Sequence, residues 1–275
     1  MRRSIMNYKQ TVSLPLKSVK NARELGGYKT SDGKSVKHGL LLRTGKLDKI
    51  TNEDITILRD RYRLGYIVDF RMPMELAGAD DPVIDGVGYH HLDVIDPSVF
   101  GSTNTDIDIN SFDLIQVTEL TIKSGMLNER MYIGFLESDS GKRAFSDFFT
   151  ILLDTEPDRA VLWHCTSGKD RTGLAAMLLL SALGVDEKTV MEDFLLTNDY
   201  NAERIAATKR YLTDKNLEED FIKKALLVFD SVDESFMSSA IAHLKKNYGS
   251  VEGYIINGLN INQNGLNILR NKYLD

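Results

Sequence analysis

The chain has few of the residues that form covalent cross-links or thiolate metal clusters. Its 275 residues include a single cysteine, Cys165. A disulfide within the chain requires two cysteines, and a structural zinc cluster usually requires several thiolates, so the composition excludes both. One unpaired thiol favours a reducing compartment.

Long apolar runs and an excess of positive charge are also missing. No stretch approaches the ~20 apolar residues of a membrane-spanning helix. Residues 11–17 lack the unbroken apolar core of a secretory signal. We therefore predict a cytoplasmic protein without stable membrane insertion. Export by a route that needs no signal peptide stays an alternative. The formal net charge of −6 argues against nucleic-acid binding, which depends on excess Lys and Arg.

The remaining composition is that of one folded α/β domain over residues 1–275. Hydrophobic residues make up 42% of the chain, enough for a sizeable core. A hairpin is predicted at 25–33, strands at 37–43, 66–70, 89–94 and 160–164, and helices at 51–63, 145–153 and 175–183. This alternation predicts a mainly parallel central sheet flanked by helices, with a helical C-terminal half. The polar start of 97–141 and the one or two amphipathic helices after it suggest an insertion or lid.

A ten-residue run between the last predicted strand and an apolar helix has the features of a phosphate site. It reads HCTSGKDRTG over residues 164–173. Five residues separate Cys165 from Arg171, which lets the backbone N–H groups converge on one anion, and Gly168 would ease the curvature. Arg171 can bind two phosphate oxygens at once. Helix N-termini and nearby cations lower a thiol pKa from ~8.5 to as little as ~3.5, so Cys165 is a candidate nucleophile.

This run resembles the catalytic loop of the protein tyrosine phosphatase superfamily. Four further segments extend the resemblance to bacterial tyrosine phosphatases that also act on phosphoinositides: NARELGG at 21–27, LRTGKL at 42–47, DFR at 69–71 and YGS at 248–250. The resemblance implies the cysteine phosphatase fold and a phosphocysteine intermediate, with no cofactor. Glu24 departs from the Asp that the family usually carries, and residues 97–141 follow none of its patterns.

The resemblance also implies roles for the loop residues. Cys165 would attack phosphorus, Arg171 would stabilise the transition state, and the hydroxyl of Thr172 would help the sulfur leave. Substrate contacts are expected from the other members of the loop, Thr166, Ser167, Gly168 and Lys169. Lys169 is predicted to be a mobile cation at the rim, which could meet a second phosphate on an inositol ring.

Three aspartates are candidates for the general acid that protonates the leaving group. Asp170 ranks first because similar phosphatases with Lys-Asp before the arginine appear to use that aspartate. Its alternative role is to pair with a cation and hold the loop. Asp93 and Asp96 are the other candidates, on the upstream loop where other branches of the superfamily keep their acid.

Several polar residues are expected to support the loop. His164 would tune the thiolate and the loop geometry. Arg43 and Arg71 would brace the loop, through an ion pair with Asp69, or bind substrate. No metal is expected, because neighbouring histidines such as His90 and His91 point to opposite faces of a strand.

These observations favour a cysteine-dependent phosphatase acting on phosphotyrosine proteins, with phosphate as a product. A nucleotide site is not implied, because Asp170 stands where a phosphate-binding P-loop would need Ser or Thr. Three alternatives stay open: phosphoinositides as principal substrates, a phosphate-binding module without turnover, and a Cys/His/Asn acyl-transfer site. The sequence does not single out the base that an acyl-transfer site would need beside Cys165.

Overall fold

The structure is a computed structural model that describes residues 12–95 and 113–275, and it contains a five-stranded sheet. The strands are β1 (Arg23–Glu24), β2 (Leu41–Thr44), β3 (Leu64–Asp69), β4 (Gly88–His91) and β5 (Ala160–His164). Their order across the sheet is β1-β2-β5-β3-β4. β1 pairs with β2 antiparallel, and the remaining pairs are parallel. The prediction of a mainly parallel sheet is confirmed.

The centre of the sheet is covered on both faces. All five residues of β5 are buried, as expected for a continuous apolar run in a parallel sheet. Its side chains alternate between two apolar clusters. Val161 and Trp163 join the larger cluster, and Leu162 joins the smaller one with Leu42 and Ile67. The end of β5, where the candidate loop begins, is therefore fixed by packing on both sides.

Helices account for most of the remaining described residues. They are α1 (Asn52–Thr56), which continues as a π-helical turn (Ile57–Arg61), α2 (Pro73–Leu76), α3 (Leu114–Lys123), α4 (Met131–Glu137), α5 (Asp139–Asp154), α6 (Asp170–Leu183), α7 (Glu187–Tyr200), α8 (Ala202–Asp214), α9 (Glu219–Phe229), α10 (Glu234–Tyr248), α11 (Val251–Asn257) and α12 (Gln263–Tyr273). The helical C-terminal half is confirmed.

Most predicted elements are present, with shifted ends. The hairpin is confirmed by an antiparallel bridge between Lys29 and Ser35. Thr51 caps α1 by accepting a hydrogen bond from the backbone N–H of Asp54. Helix α6 begins at Asp170, ahead of the apolar run from 175 that predicted it. The first turn of this helix therefore belongs to the candidate loop.

The region predicted as an insertion or lid contains two helices, α3 and α4, as the apolar pattern from 112 to 136 indicated. Helices α3, α8 and α9 share a small apolar cluster that is separate from the main core and is centred on Leu212, Ile222 and Ala225. Residues 97–112 lie outside the described residues, and the lid stays a prediction. In the part of the chain described here, no helix is long and apolar enough to cross a bilayer.

Candidate active site

The candidate loop lies between the end of β5 and the start of α6. Its nucleophile candidate Cys165 is only 2% exposed, and Arg171 is 8% exposed. Helix α6 is buried almost all round, so its N-terminus is fixed against the sheet. The partial positive charge of that N-terminus therefore falls on the loop, where it favours both a thiolate and a bound anion.

Gly168 allows the loop to lie against the end of β2. Its φ is +66°, in the left-handed region that side chains disfavour. A Cβ atom here would lie 2.3 Å from the backbone O of Thr44 and 2.7 Å from the backbone N of Gly45. The position therefore requires glycine for both conformation and space, in agreement with the curvature that the sequence predicts.

Arg171 is held by a carboxylate that the sequence did not identify, that of Glu75 on α2. The Arg171 Nη1 donates to Glu75 Oε2 at 2.5 Å and to the backbone O of Phe70 at 3.1 Å, and Nη2 donates to Glu75 Oε1 at 2.8 Å. A guanidinium has five N–H donors. Within the described residues the Nε–H and the second Nη2–H remain without a partner, and together they form the planar fork that suits two oxygens of one phosphate.

Glu75 also accepts hydrogen bonds from one residue of the loop and from the residue that precedes α2. The Thr166 hydroxyl donates to Glu75 Oε1, and the backbone N–H of Met72 donates to Oε2 at 2.8 Å. Burial alone would raise the pKa of Glu75, but the charge of Arg171 and these hydrogen bonds outweigh it and lower the pKa. Glu75 is therefore ionised at neutral pH and orients Arg171.

Lys169 does not match the expectation of a mobile cation at the rim. It is 3% exposed, and its Nζ lies 2.7 Å from the backbone O of Leu227 and 3.3 Å from that of Ser231. Nζ also lies 3.1 Å from Asp170 Oδ2. The last carbonyls of a helix attract cations, and this explains why the C-terminal end of α9 holds the ammonium group. In this structure the ammonium group is thus bound within the protein, and a contact between Lys169 and a second phosphate stays a prediction.

The two described candidates for the general acid differ in their surroundings. Asp170 accepts a hydrogen bond from the Tyr132 hydroxyl at 2.6 Å, and its Oδ2 lies 3.1 Å from Lys169 Nζ. Burial raises the pKa of Asp93, which lies close enough to Arg171 and Glu75 to sense both charges. A raised pKa keeps a proton available for transfer. Asp96 lies outside the described residues.

A buried ionic cluster supports the loop from the end of β3. Arg71 Nη2 lies 2.6 Å from Asp69 Oδ2 and 2.9 Å from Asp81 Oδ1, so the predicted pairing of Arg71 with Asp69 is present. His164 Nε2 lies 2.6 Å from Asp81 Oδ2. Ligand atoms of Asp69, Asp81 and His164 come within 4.8 Å of one another, a spacing that could hold a metal ion. Arg71 already pairs with both of these carboxylates and compensates their charge.

Arg43 has a different partner from the one predicted. Its Nη1 lies 2.6 Å from Asp193 Oδ2 on α7, and its Nη2 donates to the backbone O of Gly168 at 3.0 Å. Strand β2 is separated from β3 by β5, which places Arg43 away from Asp69. Arg43 therefore contacts the loop from behind, through its backbone.

Two hydroxyls of the loop have contrasting environments. Ser167 Oγ donates to the backbone O of Phe229 at 3.2 Å. Thr172 Oγ1 is buried and makes no hydrogen bond within the described residues. The expected role of Thr172, helping the sulfur leave, stays a prediction.

The sequence did not identify four residues that hold the loop or its supporting side chains: Glu75, Asp81, Asp193 and Tyr132. Asn21 was noted as part of a motif, but its contacts with the loop were not predicted. A local signal existed for Glu75, since Pro73 and Glu75 occupy the first and third positions of α2, and Glu75 bonds the Met72 N–H. The others are distant in sequence from the loop and carry no local pattern.

The chain matches the sequence profile of the tyrosine phosphatase family over residues 14–275. It is 26% identical, over 90% of its length and 84% of the relative, to a Cupriavidus necator protein provisionally named a tyrosine-protein phosphatase. It is 27% identical to the triple specificity protein phosphatase PtpB of Mycobacterium tuberculosis, over 80% of this chain and 86% of PtpB. The crystal structure of a P. aeruginosa TpbA variant in complex with pTyr aligns with 75% of this chain and 90% of its own, at 14% identity and a TM-score of 0.29.

Proposed function

Since the chain belongs to the tyrosine phosphatase family and is a protein-tyrosine phosphatase, we propose that Cys165 carries the transferred phosphoryl group. The observation that supports this most directly is the buried thiol at the N-terminus of α6, in the same loop as the free fork of an arginine that Glu75 holds in place. A thiolate, an arginine and backbone donors around one anion suffice for in-line phosphoryl transfer.

The reaction would proceed in two displacements. The Cys165 thiolate forms a bond to phosphorus while the bond from phosphorus to the tyrosine oxygen breaks, and the leaving oxygen takes a proton from a carboxylic acid. Water then attacks the phosphocysteine, returns a proton to the carboxylate and releases phosphate, with the sulfur leaving as thiolate. The unpaired Thr172 hydroxyl would stabilise that leaving sulfur.

Asp93 is the general acid in this proposal. It replaces Asp170, which the sequence analysis gives as the first candidate. Transfer needs the protonated form, and burial raises the pKa of Asp93 towards that form. Asp170 is bound by Lys169 and by the Tyr132 hydroxyl, which suits a residue that holds the loop.

A leaving-group comparison of Asp93→Asn and Asp170→Asn tests this assignment. Loss of the general acid should lower kcat far more for phenyl phosphate than for p-nitrophenyl phosphate, because the nitrophenolate leaves without a proton. It should also remove the basic limb of the kcat profile, on which activity falls as the acid loses its proton. We expect both effects in Asp93→Asn. Finding them in Asp170→Asn alone would reverse the assignment.

Substrate range is tested by measuring phosphate release without added metal. Wild type and Cys165→Ser are compared on a phosphotyrosine peptide, a phosphoserine peptide and short-chain phosphoinositides. We expect release from phosphotyrosine that is lost in the variant. The name of the mycobacterial relative, a triple specificity phosphatase, is the reason for the other two substrates. Phosphate binding without release from any of them would favour a binding module.

A further inference from the structure

The loop carbonyls are held from outside by residues that are distant in sequence. The backbone O of Gly168 accepts hydrogen bonds from Asn21 Nδ2 at 2.8 Å and from Arg43 Nη2 at 3.0 Å. The same Asn21 amide donates to the backbone O of Ser167 at 3.3 Å. The backbone N–H of Lys46 donates to the O of Thr166 at 3.2 Å. Three successive carbonyls of the loop are therefore bound on its outer side.

Fixing these carbonyls also fixes the amides on the inner side. A trans peptide unit is planar, and its C=O and N–H groups point in opposite directions. Outward carbonyls on Ser167 and Gly168 therefore turn the N–H groups of Gly168 and Lys169 inward, towards the position of the phosphate. Donors stabilise a transition state most when they are oriented before the reaction begins.

The two side chains that bind the Gly168 carbonyl belong to one buried network. Asn21 Oδ1 accepts a hydrogen bond from Arg23 Nη1. Arg23 Nε lies 3.1 Å from Asp193 Oδ1, and Arg43 Nη1 lies 2.6 Å from Asp193 Oδ2. The two arginines are fully buried and Asp193 is 1% exposed. One carboxylate on α7 thus positions both donors behind the loop.

The network also carries a net positive charge, since two guanidinium groups share one carboxylate. Burial and the nearby charge of Arg23 lower the pKa of Arg43 to about 10, which leaves it charged at neutral pH. Burial would raise the pKa of Asp193, but the two arginines lower it, so it is ionised. The remaining positive charge lies directly behind the amides that face the anion, where it favours phosphate and thiolate alike.

We propose that Asn21, Arg43 and Asp193 are positioning residues that hold the Gly168 and Lys169 amides towards the phosphate by binding the loop carbonyls from behind. The proposal rests on the proposed function, because it assumes that the loop binds the phosphate of the substrate. It adds residues from β2, α7 and the segment before β1 to the machinery of that loop.

The test uses Asn21→Asp and Asn21→Gly. Asn21 has a φ of +51°, a conformation that Asp and Gly also accept. Asp keeps an oxygen for Arg23 and strengthens that contact, but it loses the donors to Ser167 and Gly168. Gly loses the same donors without adding charge. Any loss of function common to both variants therefore reports the missing hydrogen bonds to the carbonyls and not the new charge.

Three quantities are measured: kcat/KM for p-nitrophenyl phosphate, the dissociation constant of inorganic phosphate by calorimetry, and the pH midpoint of Cys165 alkylation by iodoacetamide. Both variants remove two hydrogen bonds, so we expect phosphate binding and kcat/KM to fall about tenfold or more. The alkylation midpoint should move to higher pH. The thermal midpoint of Asn21→Asp should stay within a few degrees of wild type.

Thr197→Val is the matched control. The Thr197 hydroxyl accepts from Arg23 Nη2 at 3.4 Å and makes no hydrogen bond to the loop among the described residues. Its removal should lower the thermal midpoint without weakening phosphate binding. Wild-type phosphate affinity in folded Asn21→Asp and Asn21→Gly would overturn the proposal, as would an equal loss in Thr197→Val. Calorimetry needs no turnover, so a failure of the proposed hydrolysis would be seen separately, in the wild type.

Discussion

The ion pair between Glu75 and Arg171 gives the sharpest prediction for a single residue, the effect of Glu75→Gln. The carboxylate accepts from both Nη atoms of Arg171 and from the Thr166 hydroxyl. A carboxamide has the same shape, but it keeps one acceptor and turns the other into an NH₂ donor that faces existing donors. Arg171 would lose its fixed orientation while its own donors for phosphate stay in place.

The expected magnitude follows from the hydrogen bonds that the carboxamide cannot make. A hydrogen bond to a charged group contributes about 1.5–3 kcal/mol. Both side chains are mostly buried, at 9% and 20% exposure, so solvent screens the pair only partly. Removing one such bond together with the charge should reduce kcat/KM roughly 10- to 100-fold, since about 1.4 kcal/mol corresponds to a factor of ten. We expect a lower free energy of unfolding as well.

The assay is kcat/KM on a phosphotyrosine peptide together with urea denaturation at neutral pH. Glu252→Gln is the control, because it makes the same change in the partly exposed pair with Arg270 on α12. Such a pair contributes about 0–1 kcal/mol. Activity of Glu75→Gln within about threefold of wild type would refute the reasoning, as would an equal loss of activity in the control.

The same pair has a defined pH dependence. The pKa of Glu75 is lowered in the folded protein, so its stabilising effect is complete above the ordinary value of 4.5 and is lost as the pH falls through the lowered value. Urea denaturation at a series of acidic pH values should therefore show the difference between wild type and Glu75→Gln shrinking only below about pH 4.5. A difference that already disappears between about pH 5 and 7 would contradict an ionised Glu75.

Three further variants test other contacts. Gly168→Ala should reduce kcat/KM by about 100-fold or more, because its Cβ would lie 2.3 Å from a backbone oxygen. Gly33→Ala meets the same φ penalty in open space and should stay active. Asp193→Asn should lose about 3–5 kcal/mol in urea denaturation, since it leaves two buried guanidiniums without a charge partner. Asp220→Asn, in an exposed pair, should lose under about 1 kcal/mol. Lys169→Met should slow phosphotyrosine hydrolysis, because Lys169 is held inside the protein by the carbonyls of Leu227 and Ser231. A loss confined to phosphoinositide substrates, with phosphotyrosine hydrolysis unchanged, would instead indicate that Lys169 is a cation at the rim of the site.

The position of the loop could be predicted from sequence because its signals are local. A buried strand, a five-residue spacing and an apolar helix all lie within residues 160–183, and each depends on neighbours along the chain. The central strand β5 was predicted with its observed bounds for the same reason. Sheet order was not predicted, since pairing between distant strands leaves little local trace.

The partners of the loop could not be predicted because they come from separate elements. Glu75 lies on α2 and Asp193 on α7, and only the folded sheet brings them to Arg171 and Arg43. The environment of Lys169 could not be predicted for the same reason. Its sequence position suggested a free cation, but the end of α9 supplies carbonyl oxygens that bury it.

The most direct test of the account is to trap the covalent intermediate. Wild type is mixed with excess p-nitrophenyl phosphate, quenched in acid within milliseconds, digested and analysed by mass spectrometry. We predict a phosphoryl adduct on the peptide that contains Cys165, formed at the rate of the nitrophenolate burst and absent from Cys165→Ser. Turnover with no adduct on that peptide, or an adduct on a different residue, would contradict Cys165 as the nucleophile.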